Sequence, residues 1–167
     1  SGTDVIVNSI TATKRLHELA GIIKEKNASV VCLPMGNDGV PRDSDSVLSF
    51  ARLIVENLAS YNIKEDRIYI DTLVSALSVG SDSAAFALEN IKRLKSELTG
   101  TNTICGISNI SFGLPGRRIL NSVFLSCAMY CGLDSAILDV TSESIRDCLY
   151  ASKAILGSDE YCMDFIG

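Results

Sequence analysis

The sequence predicts an α/β fold made of parallel βα units, and three observations carry that expectation. Five short apolar runs alternate with five amphipathic helical stretches along 167 residues, the βα rhythm of a parallel sheet. The runs are apolar throughout, as strands covered on both faces must be. Four of the five nevertheless turn polar at their carboxyl ends, at Asn8, Asp71, Ser108–Asn109 and Asp139.

Asp4 to Asn8 reads as the first strand. Thr13 is placed to cap a helix to about Lys26, with Leu16, Leu19, Ala20 and Ile23 on one face. His17, the one histidine, lies beside that stripe and is expected to face solvent. Ser29 to Met35 is the second strand, and Gly36 to Arg42 is a loop of turn residues longer than the connection needs. Asp43 or Ser44 caps a helix to about Tyr61 with Val47, Phe50, Ala51, Ile54 and Leu58 inward. Arg67 to Asp71 is the third strand, and the apolar connection Thr72 to Ser81 is placed over the strand ends. The following helix opens at Asp82 or Ser83, with Ala84, Leu88, Ile91, Lys95 and Leu98 at helical spacing, and Gly100 suits a left-handed cap. Thr103 to Ile107 is the fourth strand, and its helix, Arg117 to Cys131, is apolar almost all round. Ser135 to Asp139 is the fifth strand, Thr141 caps the last helix, and Ser158 to Gly167 suits a short extra helix.

Composition narrows the function classes. Hydrophobic residues are 47% and charged residues 21%, so the chain folds around a core. A net charge of −5 offers no basic stripe for nucleic-acid phosphates. No apolar run reaches the roughly 18–20 residues of a membrane helix. The six cysteines contain no CxxC pair; Cys127 and Cys131 share a helix face but have no nearby His or acidic partner for a metal. They read as reduced, packed thiols, which fits a cytoplasmic protein.

In a parallel sheet all strand ends of one polarity share a rim, the rim used for binding. Asn8, Asp71 and Asn109 therefore converge as a candidate ligand site, whereas Asp139, just before Thr141, reads as a loop cap. Asn offers both donor and acceptor, and ionised Asp offers acceptors, a set suited to a flat heterocycle with NH and C=O edges. The chain has no Ser-His-Asp arrangement, GxGxxG or P-loop. Arg117 and Arg118 stand at a helix start, where an anion is favoured.

Cys105-Gly-Ile-Ser-Asn-Ile-Ser-Phe-Gly-Leu-Pro-Gly-Arg-Arg118, with Asn121 to Leu125 and Gly132 to Asp139, resembles the methyltetrahydrofolate:corrinoid methyltransferases. These sit within the wider pterin-binding, dihydropteroate-synthase-like barrels. Val7-Asn-Ser9, Leu33-Pro-Met35, Gly39-Val-Pro41 and Tyr69-Ile-Asp71 fit the same pattern in the same order. The resemblance implies a partial TIM barrel, the last five of eight strands, with residues 1–167 forming the C-terminal part of a pterin-binding (βα)8 domain. It implies Asn109 as the catalytic residue near pterin N5, Asn8 and Asp71 as hydrogen-bond partners of the pterin, and Gly106, Ser108 and Arg117 around the ligand. The substrate is then methyltetrahydrofolate, the methyl acceptor is a cobalamin or other corrinoid on a partner protein, and the chain is a homodimer. No metal is bound by the chain itself. The alternatives are a non-catalytic pterin-binding or corrinoid-protein-docking module, a dihydropteroate synthase-like enzyme, and an unrelated open α/β domain. Five units do not close the usual barrel, and the first strand leaves an unpaired edge.

Overall fold

In a computed structural model, which describes residues 5–167, the chain forms one sheet of five strands in the order β1-β2-β3-β4-β5. The strands are β1 (Ile6–Thr11), β2 (Ser29–Leu33), β3 (Ile68–Asp71), β4 (Asn102–Gly106) and β5 (Ser135–Ile137). Between and after them come α1 (Arg15–Glu25), α2 (Ser44–Ser60), α3 (Ser83–Glu97), α4 (Arg117–Tyr130), α5 (Glu143–Ile155) and a short α6 (Met163–Ile166). Every neighbouring pair is parallel. Spatial order equals sequence order, with no reversal of the kind that makes the central crevice of a doubly wound sheet. This is the winding of a barrel, of which five units are present.

The helices cover the sheet through two apolar clusters. One joins Val30, Cys32, Ile68 and Ile70 of β2 and β3 to Leu16, Ala20 and Ile23 of α1 and to Ala51, Ile54 and Leu58 of α2. The other joins Cys105, Ile107 and Ile110 to Phe124 and Leu125 of α4 and Ile145 of α5. α3 bridges them: Leu94 belongs to the first and Ala87 to the second. Its fully buried line is Ala87, Asn90, Ile91 and Leu94. This is rotated from the expected line of Ala84, Leu88, Ile91, Lys95 and Leu98, because a polar Asn90 hides the true period.

Other expectations are corrected by local chemistry. β1 does not stop at Asn8. After an irregularity between Asn8 and Ile10 it resumes pairing to Thr11, so Asn8 lies within the strand; the expected start, Asp4, lies outside the described residues. Thr13 does not cap α1, since its hydroxyl lies 3.1 Å from that of Thr11 and Lys14 takes the cap position. Asp43 does cap α2, accepting from the Ser46 N–H at 2.8 Å. Gly100 is not left-handed; a side chain there would displace the Glu65 carboxylate. Gly132, with φ +97°, and Gly157, with φ +73°, are the glycines that end helices in that conformation, after α4 and α5. α4 is buried along Phe124, Leu125 and Ala128 only, and Ile119, Val123 and Tyr130 are exposed. β5 ends at Ile137, and Asp139 beyond it accepts from the N–H and hydroxyl of Thr141. This is the cap role read from the sequence, although Ser142 rather than Thr141 precedes α5.

Asp134 closes the β4–β5 crossover at its amino end. One oxygen accepts from the Thr103 N–H (2.8 Å) and hydroxyl (2.9 Å), and the other accepts from Lys95 Nζ (2.8 Å). Burial works against the charge, but the bonds from Lys95 and Thr103 outweigh it and hold the carboxyl below the usual range. A lowered folded-state pKa gives stability that is present above the unfolded value, about 4, and lost as pH falls through the folded value. Asp134→Ala is therefore expected to cost about 1–3 kcal/mol at pH 7 by urea denaturation, with the gap to wild type closing as the pH falls below about 4.

Candidate functional site

Parallel pairing fixes which side chains share a face. Asn8 is in register with Val31, Val31 with Tyr69, and Tyr69 with Asn102. Ile68 and Ile70 point into the helix-side cluster, so Tyr69 and Asp71 lie on the opposite face, which Asn8 shares. Asp71 is two residues beyond Asn8's row and two strands away. A stagger of about one residue per strand is the shear of an eight-stranded barrel, so the offset follows the tilt of the strands.

β3 ends at Asp71, a half-buried carboxylate. Its Oδ1 accepts from the Leu73 N–H at 2.8 Å. Burial pushes the carboxyl above its usual range, and the Leu73 N–H pulls it part of the way back. Leu73 itself has φ +59°, a left-handed conformation a leucine seldom takes. The chain then runs through buried Val74 and Ala76, where Leu77 N–H donates to the Ile110 carbonyl (3.0 Å) and Ser78 Oγ to the Phe112 carbonyl (2.7 Å). The long apolar connection seen in the sequence thus braces the loop after β4.

That loop is better ordered than a strand end. β4 stops at Gly106, and Ile107–Ser111 form a 3-10 turn with Ile107 and Ile110 buried and Ser108 and Asn109 exposed. The alternation is what a short helix seated on a core requires. A Cβ at Gly106 would stand 3.2 Å from Asn109 Nδ2, so glycine leaves the amide room to fold back over the strand. Gly116, with φ +68°, starts α4. Arg117 then reaches back, donating from Nε to Ser111 Oγ (3.0 Å) and from Nη2 to the Ser108 carbonyl (3.1 Å). Part of its guanidinium is spent on holding Ser108 and Asn109 in place. Ser78 is the position sequence reasoning missed; nothing in its local pattern signals that it holds this loop.

Of the expected site residues, Asn8 and Asp71 share one sheet face, and Ser108 and Asn109 lie in the turn after β4, the strand next to Asp71's, between Gly106 at its end and Arg117, which reaches back from α4. A cavity of about 430 Å³ beside the loop is lined by Ser108 and Arg117, together with Arg118, Asn121, Leu138 and Ser142, but not by Asn8, Asp71 or Asn109. His17 is exposed on α1, 3.2 Å from the Tyr61 hydroxyl and outside this constellation. All six cysteines are free; burial pushes Cys105 up to about 12 and Cys32 higher, so neither is a ready nucleophile. Among the described residues no group of His, Cys, Asp and Glu is placed to hold a metal ion. No helix among them is long and apolar enough to cross a membrane.

Residues 1–139 match the family described as "Pterin binding enzyme". The chain is 32% identical over 136 residues to the methylcorrinoid:tetrahydrofolate methyltransferase of Eubacterium limosum, covering 81% of this chain and 50% of that protein. It is 34% identical over 131 residues to the methionine synthase of Mycobacterium tuberculosis, covering 74% of this chain and 11% of that protein. The chain therefore spans half the length or less of these curated relatives. Among solved structures it resembles a dihydropteroate synthase from Clostridium difficile in the presence of pteroic acid, with a TM-score of 0.67 and 19% identity. That likeness covers 90% of this chain and 59% of the other, and it establishes the barrel-type fold.

The strap from Arg117 makes a prediction. Arg117→Ala removes two hydrogen bonds from the 107–112 turn, and local opening becomes easier there than in the sheet. Limited chymotrypsin digestion should cut after Phe112 roughly tenfold faster, with the melting temperature lowered by only a few degrees.

Proposed function

The chain belongs to the pterin binding enzymes, and on that premise we propose that it handles the methyl group on N5 of a tetrahydrofolate, exchanging it with a corrinoid carried by a partner protein. The observation that carries this reading is a half-buried carboxylate, Asp71, at the end of β3 and an exposed amide, Asn109, in the turn after the adjacent β4, in a chain whose relatives include a methylcorrinoid:tetrahydrofolate methyltransferase. The five βα units read as part of a larger barrel domain, which the half-length match to that relative supports. A non-catalytic pterin-binding module and a dihydropteroate synthase-like enzyme are the competing readings, and the identities to two methyltransferases favour the first over both.

Each residue then has a task set by its chemistry. Asp71 keeps one oxygen on Leu73 and offers the other to ring N–H donors, and Asn8 supplies a donor and an acceptor on the same face. A buried carboxylate meeting paired donors regains the solvation it lost. Asn109 is the group for N5. A tertiary amine is a poor leaving group: as the methyl departs, the C–N bonding pair stays on N5, so electron density builds there and is taken up by a proton from solvent. In the reverse transfer N5 gives up that proton and spends the pair on the arriving methyl. An amide that hydrogen-bonds more strongly to that nitrogen in the transition state lowers the barrel's barrier without acting as a strong acid. The corrinoid, when its carrier docks, supplies the cobalt centre that takes or gives the methyl. Ser108 and Arg117 hold Asn109 in place, and Gly106 keeps its amide unobstructed.

Two measurements test the reading. In the complete protein, methyltetrahydrofolate should convert cob(I)alamin to methylcobalamin, followed by its absorbance change. Asn109→Ala should slow this about 10²–10³-fold while changing folate affinity little. Absence of both turnover and folate binding contradicts the proposal; folate binding without turnover transfers it to the non-catalytic module. Folate binding should also weaken on acidification as Asp71 protonates. Because its pKa is raised, that loss begins above the ordinary carboxylate range, and Asp71→Asn should abolish this acid limb in calorimetric titrations.

A further inference from the structure

Asn90 is out of place in the core. It lies on the buried line of α3 between Ala87 and Leu94 and is 1% exposed. Its Nδ2 donates to the carbonyl oxygen of Thr72 at 3.1 Å, while its Oδ1 has no partner. A buried amide that satisfies only one of its two ends is a poor stabiliser, since the unpaired acceptor has lost its water for nothing. The orientation is not arbitrary, because the opposite flip would set oxygen against oxygen.

The bond it does make falls at a sensitive point. Thr72 follows Asp71 directly, and its own N–H still pairs with the Ile104 carbonyl of β4 at 3.0 Å. Its carbonyl turns inward to Asn90, and the next residue, Leu73, is thrown into the left-handed conformation that brings its N–H onto Asp71 Oδ1. Without a donor at Asn90, the Thr72 carbonyl is buried unpaired. The turn then has reason to rotate toward an extended conformation, which leucine prefers. Rotation would take the Leu73 N–H away from Asp71.

We propose that Asn90 is a positioning residue: through the Thr72 carbonyl it locks the Asp71–Leu73 turn, so that the Asp71 carboxylate presents its free oxygen to the ligand in one pose. The proposal rests on the reading of Asp71 as a pterin contact, but the lock itself exists without ligand. Strained backbone held by its surroundings is a feature of ligand clamps. Here the surroundings include buried Leu73 and Val74, and the side chain that bonds the Thr72 carbonyl is one amide from a helix that touches neither Asn8 nor Asn109 in any hydrogen bond described.

Asn90→Leu, close in shape and lacking both polar ends, separates this role from a structural one. It deletes the unpaired acceptor along with the donor, so the melting temperature should stay within about 3 °C of wild type. Exchange of the Leu73 amide hydrogen, followed by NMR in the absence of ligand, should become about tenfold faster or more, while amides of β2 and β4 keep their protection. Methyltetrahydrofolate affinity of the complete protein should fall about tenfold. Unchanged Leu73 exchange overturns the proposal, as does a large drop in melting temperature with folate affinity of the folded protein retained. If Asn90→Leu does not fold, Asn90→Ala is read by the same three measurements. If wild type binds no folate, the reading of Asp71 as a pterin contact fails, and Leu73 exchange alone decides whether Asn90 locks the turn.

Discussion

The pairing of β3 with β4 is the interaction on which the rest of the site depends. Asp71 is in register with Ile104, and the ladder continues one step past β3 through the Thr72 N–H to the Ile104 carbonyl. That continuation carries the chain out of the sheet with its direction fixed. Asp71 then ends on the face away from the helices, and two residues past Ile104, Gly106 opens the turn that bears Asn109. A register slip of one residue here would turn Asp71 into the apolar layer and Ile70 out of it. Burial of Ile68 and Ile70, both at 0% exposure, makes that slip prohibitive. The hydrophobic layer thus sets the register, and the register sets the chemistry.

A second level of organisation joins loops that are distant in sequence. The connection after β3 bonds to the turn after β4 through Leu77 and Ser78, and Arg117 bonds to the same turn from the first residue of α4. The polar turn is held from both sides, while its own Ile107 and Ile110 anchor it below. Asn109 is placed through its backbone, whose carbonyl accepts from the Phe112 N–H, and its side-chain amide stays available. Preorganised donors of this kind are worth more than mobile ones because no reorganisation is needed as charge shifts in the ligand.

Much of this was legible in the sequence, and the losses have physical causes. Five parallel units followed from the alternation of apolar runs with amphipathic helices, and the apolar runs turning polar at Asn8 and Asp71 pointed to the one sheet face these two residues share. Helix caps were harder. Asp43 behaves as a cap because its short carboxylate reaches the Ser46 N–H, but Thr13 found Thr11 instead, a neighbour no local pattern announces. The extent of β1 was missed because its pairing resumes after the irregularity beyond Asn8, which only the partner strand reveals. Which apolar residues of α4 face the core was not legible, because composition records apolarity and not direction, and Ile119 and Val123 are exposed. Asn90 went unremarked for the converse reason: a polar residue on an apolar line reads as a break in the period until Thr72 is seen facing it.

The site also differs in kind from the cavities around it. The groove of about 220 Å³ near Ile23, Asn27 and Arg67 lies at the amino ends of the strands, where parallel sheets keep stability rather than chemistry. The most direct test of the account is a map of amide chemical-shift changes, with and without a tetrahydropterin, across the assigned spectrum of the complete protein. The account predicts the largest changes at Asn8, Asp71 and Gly106 to Asn109. Changes concentrated around Ile23, Asn27 and Arg67, or none in the spectrum at saturating pterin, would contradict it.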